Sequence, residues 1–388
     1  MLSMLRSAPC LGNFHWLLAR ASVLCLLFFV CGTATALTNL RPTTTSLFPM
    51  HRRSTSSNHR ALHNNHAPPR HGRRSLPTSC DAKCRLIVGG QWYTPTSPWN
   101  TPISRTPSIA ANDSTLIAAW ANATLCSRDC LRLQYAYTPA IWIAENFTPL
   151  SPVRIDFPHC GARTIRVPIP AHAIPDPSPE GHMAIMQASS GVEYDFFRAQ
   201  VPGQQSKDGC GTARTWTAAK IVTTDWRSGN GSLRGSVRGS GTPEGAGTIR
   251  PRDTQLPHFM TWHHALALSY RNTCLHSMSW CPYVAPATSE DGTCTNQAIC
   301  VPEGARFQLD PSVNCATWPT LRYLWQKQMC RTFQVYGGII VDTNGRGPTI
   351  YDQWSGSLGD YTWPWLQAGI TTTGLPNDLL SHFRVLAW

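Results

Sequence analysis

Acidic residues are scarce in this chain, and over a long N-terminal stretch they are missing. Residues 1–78 hold nine arginines and no Asp, Glu or Lys. Of the 33 Lys and Arg in the 388-residue sequence, 24 therefore remain for the rest of the chain, against 21 acidic residues. The formal charge of +12 belongs mostly to the tail. The body carries no basic stripe interleaved with aromatics, which excludes nucleic acid as a partner of the folded part. Past the N-terminus no apolar run reaches the roughly 20 residues a membrane span needs. Motifs are lacking too. There is no Gly-x-Ser-x-Gly elbow for a serine hydrolase and no strand–Gly-rich loop–helix context for phosphate binding. No repeated Cys-x-x-Cys or paired-His spacing suits zinc. Neither a cofactor nor a metal site is expected.

What is present at the N-terminus reads as an export signal. Arg6 and Arg20 precede a short apolar run at 21–31, and Ala34-Thr35-Ala36 follows as a small-residue cleavage site,. Residues 1–36 are thus read as a signal peptide. After its cleavage no membrane segment is expected; the alternative is an uncleaved type II signal anchor, since 14–18 is also partly apolar. Residues 37–79 are rich in Ser, Thr, Pro, Asn, His and Arg, too polar to offset the entropy of ordering, and are read as a disordered basic segment. Arg73-Arg74 could mark the end of a propeptide; a flexible basic tail is the simpler reading. Residues 80–388 are read as a single secreted β-rich domain.

The cysteines fit that compartment. Of fifteen, Cys10, Cys25 and Cys31 leave with the signal peptide. Twelve remain: Cys80, Cys84, Cys126, Cys130, Cys160, Cys210, Cys274, Cys281, Cys294, Cys300, Cys315 and Cys330. An even number in an exported chain reads as up to six disulfides, with the connectivity open. Short-range pairs, Cys126 with Cys130 or Cys294 with Cys300, are a guess. A thiol nucleophile has no support in an oxidised compartment. Four sequons, at Asn112, Asn122, Asn146 and Asn230, are candidate glycosylation sites,.

Along the body, short apolar pieces are broken by Pro, Thr and Asn. Such pieces lie at 85–88, 116–120 and 140–144, the 163–168 stretch alternates, and strands are expected at 215–223, 261–269, 305–309 and 339–342. One helix is expected at 321–335, behind Pro319 and ahead of Gly337-Gly338. The clearest element is a hairpin, with apolar-rich runs 182–187 and 192–197 around Ala188-Ser189-Ser190-Gly191. A prolyl-rich loop leads into it. Residues 227–247, rich in Gly and Ser, read as a flexible surface loop or, more sharply, as a lid or cleft wall. The fold class is mainly β: a disulfide-stabilised β-sandwich or jelly roll with one or two helices.

The hairpin also concentrates the chemistry. Alternation puts Glu193 and Asp195 on one strand face, roughly 6–7 Å apart at Cα, and His182 opens the neighbouring strand. The carboxylates could serve as acid and base, or nucleophile and acid, in glycoside cleavage; the bland reading is a solvated or salt-bridged face. His182 and His264 could move protons near neutral pH, although His264 on an apolar strand also reads as a hydrogen-bonded core residue. Asp342, with Asn344 in the turn after it, could supply a further carboxylate, or simply form the turn. These five, His182, Glu193, Asp195, His264 and Asp342, are the candidate catalytic residues. Tyr194, Trp226, Arg306 and Asn344 are the candidate substrate-binding residues. Trp226 would stack on a sugar ring and Arg306 would neutralise a uronate carboxylate.

Two resemblances bear on this. In order along the chain, GHMAIM from Gly181, HAL from His264, PEGARF from Pro302 and YGGIIVDTNG from Tyr336 resemble a group of exported, mostly bacterial proteins of unassigned function. That resemblance covers 169–352 and implies one exported domain without naming catalytic residues. The cysteine-rich insertions around 274–315 depart from it. Separately, the EYDFF strand is similar to the Glu-x-Asp-x-x-Glu strand of laminarinase-like jelly-roll glucanases, but Arg198 occupies the third acidic position. The expectation is an exported carbohydrate-active protein that acts on a polysaccharide by hydrolysis or β-elimination. The alternative is a non-catalytic extracellular glycan-binding or structural protein. The sequence does not set the oligomeric state.

Overall fold

The computed structural model describes residues 90–122, 131–133, 137–232, 237–257, 261–345, 347–370 and 374–388. The chain divides into two units, Met1–Gly72 and Arg73–Trp388, and every described residue belongs to the second. The expected signal peptide, the basic segment and the cysteines at 80, 84, 126 and 130 lie outside the described residues.

The structure is mainly β, in three sheets. In chain order the strands are β1 (Arg132–Leu133), β2 (Ala140–Ala144), β3 (Leu150–Ile155), β4 (Arg163–Pro168), β5 (Met183–Gln187), β6 (Val192–Phe197), β7 (Trp216–Ala218), β8 (Lys220–Asp225), β9 (Leu266–Ser269), β10 (Arg306–Leu309), β11 (Gly338–Asp342), β12 (Thr349–Ile350) and β13 (Phe383–Val385). Helix α1 is Asp113–Trp120, α2 is Leu324–Val335 and α3 is Pro364–Gln367. One sheet runs β1-β12-β9-β11-β10-β13, a second β2-β5-β6-β8 and a third β4-β3-β7. Parallel pairs β2/β5, β3/β7 and β9/β11 sit among antiparallel ones. The arrangement is therefore a sandwich of mixed sheets, not the all-antiparallel jelly roll.

Period-two alternation stacks the sheets. On β5, Met183 and Ile185 join the core shared with the three-stranded sheet, including Val153, Ile155 and Trp216. Ala184 and Met186 face the other way, into a core with Ala265, Ala267, Ile339 and Val341 of the six-stranded sheet,. The far side of that sheet buries Leu266, Leu268, Ile340 and Phe307 beneath Trp120 of α1 and Trp325, Met329 and Phe333 of α2. The middle layer is thus flanked by sheet on both sides, and much of it is alanine. Small side chains leave room there for a further segment of chain.

Two expected elements differ. The single strand expected at 215–223 is divided at Ala219: β7 pairs with β3 and β8 pairs with β6, so the halves join different sheets. The expected surface loop is only partly one. Residues 227–230 are half-exposed or exposed, but 240–249 are buried. This stretch fills the alanine-lined layer. Its glycines are required by close approach: a Cβ on Gly245 would lie 2.7 Å from the Trp92 ring and 2.9 Å from the Glu193 carboxylate. Gly247 has φ +69° and would meet the Trp99 ring at 2.4 Å,.

Four disulfides are present among the described residues: Cys160–Cys210, Cys274–Cys281, Cys294–Cys300 and Cys315–Cys330. The guessed Cys294–Cys300 pair forms, and the Cys126–Cys130 pair lies outside the described residues. All four sequon asparagines are exposed. No described helix is long and apolar enough to cross a membrane.

Candidate functional site

β6 pairs with β5 so that Asp195 opposes Ala184 and Glu193 opposes Met186. Both carboxylates therefore point into the middle layer, where each is 0% exposed. Glu193 Oε2 accepts from the Tyr93 hydroxyl at 2.7 Å and Oε1 from the Gly245 amide at 2.7 Å. Asp195 Oδ2 accepts from the Glu244 amide at 3.3 Å, while its Oδ1 has no hydrogen-bond partner among the described residues. Burial, and then the Glu193 and Glu244 charges, push Asp195 well above the usual carboxylate range. Burial also raises Glu193. For both carboxyls, removal from water disfavours the charged form.

The buried loop delivers Glu244 beside them. Its Oε2 lies 3.2 Å from Nε of Arg238, and its Oε1 lies 2.6 Å from Nδ1 of His182. Nε2 of His182 reaches Glu180 Oε2 at 3.0 Å, and the Glu180 side chain is 45% exposed. Burial alone would depress the His182 imidazole, but the Glu244 charge and the hydrogen bond to Glu180 carry it up to about 10. It is an imidazolium that donates through both nitrogens. Glu244 is lowered despite its burial by the His182 and Arg238 charges. A continuous polar line thus runs from Tyr93 through Glu193, Asp195, Glu244 and His182 to Glu180 at the surface.

Asp342 closes the same rim. It ends β11 opposite Ser269 and accepts from the Tyr351 hydroxyl at 3.3 Å. Arg238 lies 5.0 Å over the Tyr351 ring. Burial and then the Asp291 charge, against His182, push Asp342 up to about 8, although it retains exposed surface. Asp291 also acts on Glu303, whose carboxyl is fully covered and raised, by burial first, to about 10. Asp291 and Glu303 come from the disulfide-stapled stretch 274–303, which also exposes Trp280 and Tyr283.

The five candidate catalytic residues therefore occupy three places. His182 and Asp342 share the rim. Glu193 and Asp195 lie behind it, sealed from solvent. His264 is elsewhere, before the N-terminal end of β9, whereas Asp342 opposes the C-terminal end of that strand. Five residues of extended chain separate the two levels, about 16 Å. His264 is held by Asp253 at 3.1 Å and the Ala265 carbonyl at 2.8 Å, as the core reading expects.

The candidate binding residues are not gathered either. Trp226 is 3% exposed, so its face is unavailable to a sugar. Arg306 donates to the Tyr336 and Thr101 carbonyls. Tyr194 is half-buried with its hydroxyl on Gln187. Asn344 bonds Ser269 and Thr349, close to Asp342. Glu180, Glu244, Arg238, Tyr93, Asp291 and Glu303 were not anticipated. Gly241, Gly245 and Gly247 around Glu244 were the local sign that its stretch approaches other groups closely.

Among the described residues no group of three or more His, Cys, Asp or Glu side chains is arranged to hold a metal ion. The chain matches no family model, no curated protein and no solved structure. Chemically, the rim offers a carboxyl raised to about 8 and a solvent-reaching carboxyl hydrogen-bonded to His182. A raised carboxyl near solvent is a candidate proton donor.

Proposed function

We propose that the chain is an exported glycoside hydrolase that cleaves a polysaccharide by carboxyl acid–base chemistry at this rim. Asp342 is the general acid, protonating the departing glycosidic oxygen, and Glu180 is the base that activates water or attacks the sugar. His182, held by Glu244, fixes the position of Glu180. The observation that carries the reading is two carboxyls in unlike surroundings: Asp342 is buried and raised to about 8, while half-exposed Glu180 is hydrogen-bonded to His182 at 3.0 Å,. The four disulfides and the exposed sequons support export. Exposed Trp280 and Tyr283 supply sugar-stacking faces on the loop that carries Asp291.

Hydrolysis fits better than β-elimination. Elimination from a uronate wants a free cation at the sugar carboxylate, whereas His182 and Arg238 are engaged with Glu244, Lys207 donates to the Ser178 carbonyl and Arg306 is occupied elsewhere. The substrate at the rim is accordingly a neutral glycan. The test is release of reducing ends from a panel of neutral and acidic polysaccharides. Asp342→Asn and Glu180→Gln are each expected to lower the rate by 10²-fold or more, of the order general acid–base steps contribute. An ultraviolet-absorbing unsaturated uronate would indicate elimination instead. No turnover on any panel member, together with glycan binding, would establish the non-catalytic reading.

A further inference from the structure

On the far side of the six-stranded sheet from this rim, α2 and the 311–316 segment enclose a groove of about 610 Å³. That is the size of ordinary small-molecule sites, roughly 300–1,000 Å³. Its walls are fixed to each other. The Cys315–Cys330 disulfide joins the segment to the helix, and Gln334 donates to the Asp310 and Val313 carbonyls at 2.9 and 2.7 Å. The groove is therefore preformed, and a ligand would not have to order it.

Its chemistry comes from one helix face. Leu324, Lys327, Gln328 and Arg331 recur at the i, i+3, i+4, i+7 spacing and all line the groove,. Lys327 Nζ donates to the Ala316 carbonyl at 2.8 Å, and Arg331 donates to Gln334 Oε1 at 3.1 Å. Among the described residues neither cation has an acidic partner, so the groove is positively charged. Gln328 adds a second, independent feature. It is 2% exposed, and its amide nitrogen is committed to the Leu256 and Pro257 carbonyls at 3.0 and 3.3 Å. That commitment fixes the side chain with Oε1 buried and, among the described residues, without a hydrogen-bond partner. Leaving a buried acceptor unpaired is unfavourable, and a ligand donor would satisfy it.

We propose that this groove binds a ligand with a carboxylate and neighbouring hydroxyls, an acidic sugar unit, whose carboxylate meets Lys327 and Arg331 and whose hydroxyl donates to Gln328 Oε1. Leu324 supplies the apolar edge for the ring C–H face. The site lies apart from the acidic rim, so an exported hydrolase of neutral glycan would carry a separate anchor for an acidic one. The sugar unit can belong to a polymer or be a free sugar acid.

Calorimetric titration of the full-length protein tests this with trigalacturonate, galacturonate, cellotriose and inorganic phosphate as probes. Trigalacturonate is expected to bind and cellotriose not to bind. Tighter binding of the trimer than of the monomer identifies a polymer as the source, and equal affinity identifies the free sugar acid. Lys327→Gln and Arg331→Gln, both at solvent-reaching positions, are each expected to weaken binding roughly tenfold. Gln328→Met is expected to weaken the sugar acids while leaving phosphate unchanged, with thermal melts checking that the variant folds. Asp342→Asn at the rim should leave the titration unaltered whether or not the protein is a hydrolase. Equal binding of cellotriose, phosphate as strong as the sugar acids, or no binding at all would overturn the assignment.

Discussion

At one end of the layer between the four- and six-stranded sheets, Asp253 accepts from the Arg250 amide at 2.7 Å and sits 3.1 Å from His264 Nε2, with the Arg250 guanidinium at 3.6 Å. Burial opposes ionisation, but the Arg250 charge and then His264 hold Asp253 down at about 2. At the other end, Asp342 and Glu303 face Asp291 and, among the described residues, have no direct ion pair, and burial raises them to about 8 and about 10. The two ends use the same residue types. They differ in whether charge is matched when water is removed. A matched carboxylate is a structural ion pair; an unmatched carboxyl at a solvent-reaching rim holds a transferable proton. That contrast is why the candidate site is assigned to the Asp342 end and not to His264.

Between the ends lies the ionised core of the layer, and breaking it should have the largest effect. Glu244 lies 3.2 Å from Arg238 and 2.6 Å from His182, and His182 has Glu180 on its other nitrogen. Glu244→Gln would leave buried Arg238 without its counter-charge and His182 with only the surface one, a class of change that costs about 3–5 kcal/mol. Denaturant unfolding is the measurement. A loss under about 1 kcal/mol would mean that the polar line through the layer is not continuous.

How much of this could be read beforehand follows the range of the interactions. The hairpin was legible because its alternation is local: β5 and β6 lie where the apolar runs place them, and Gly191 takes φ +78° at the turn. Helix α2 was legible for the same reason, by its apolar spacing. The division at Ala219 was not, because the partners that separate β7 from β8 are β3 and β6, and nothing in 215–223 names them. Glu244 was invisible for a further reason. Its partner His182 is 62 residues away, and a Gly/Ser-rich stretch reads as solvent-facing. It is buried because alanines on β5 and β9, far off in sequence, leave the volume that it fills.

The matched end gives the next effect. Folding lowers Asp253 from the usual value near 4 to about 2, so its contribution is present above pH ~4 and lost as pH falls through about 2. Asp253→Asn should therefore cost about 2 kcal/mol at neutral pH and almost nothing near pH 2. Melting midpoints of the two proteins across that range should converge in acid. Parallel curves would mean that Asp253 contributes packing and not charge.

The unmatched end has the opposite sign, and the smallest expected size. Folding raises Asp342 from near 4 to about 8,, so between those values the folded protein binds a proton there that the unfolded chain has released. Its contribution is complete below pH ~4 and is lost as pH climbs through about 8. Asparagine resembles the protonated acid and cannot lose it. Asp342→Asn should therefore match the parent in stability near pH 4 and exceed it at pH ~9. The gain should be only about 1 kcal/mol, because Asp342 keeps exposed surface and solvent screens its neighbours' charges. The same variant should have lost hydrolysis at every pH. A protein made more alkali-stable and less active by one substitution is what a catalytic proton held against folding would produce. If Asp342→Asn is less stable than the parent at pH ~9, Asp342 belongs with Asp253 as a structural anion, and the two ends of the layer are alike.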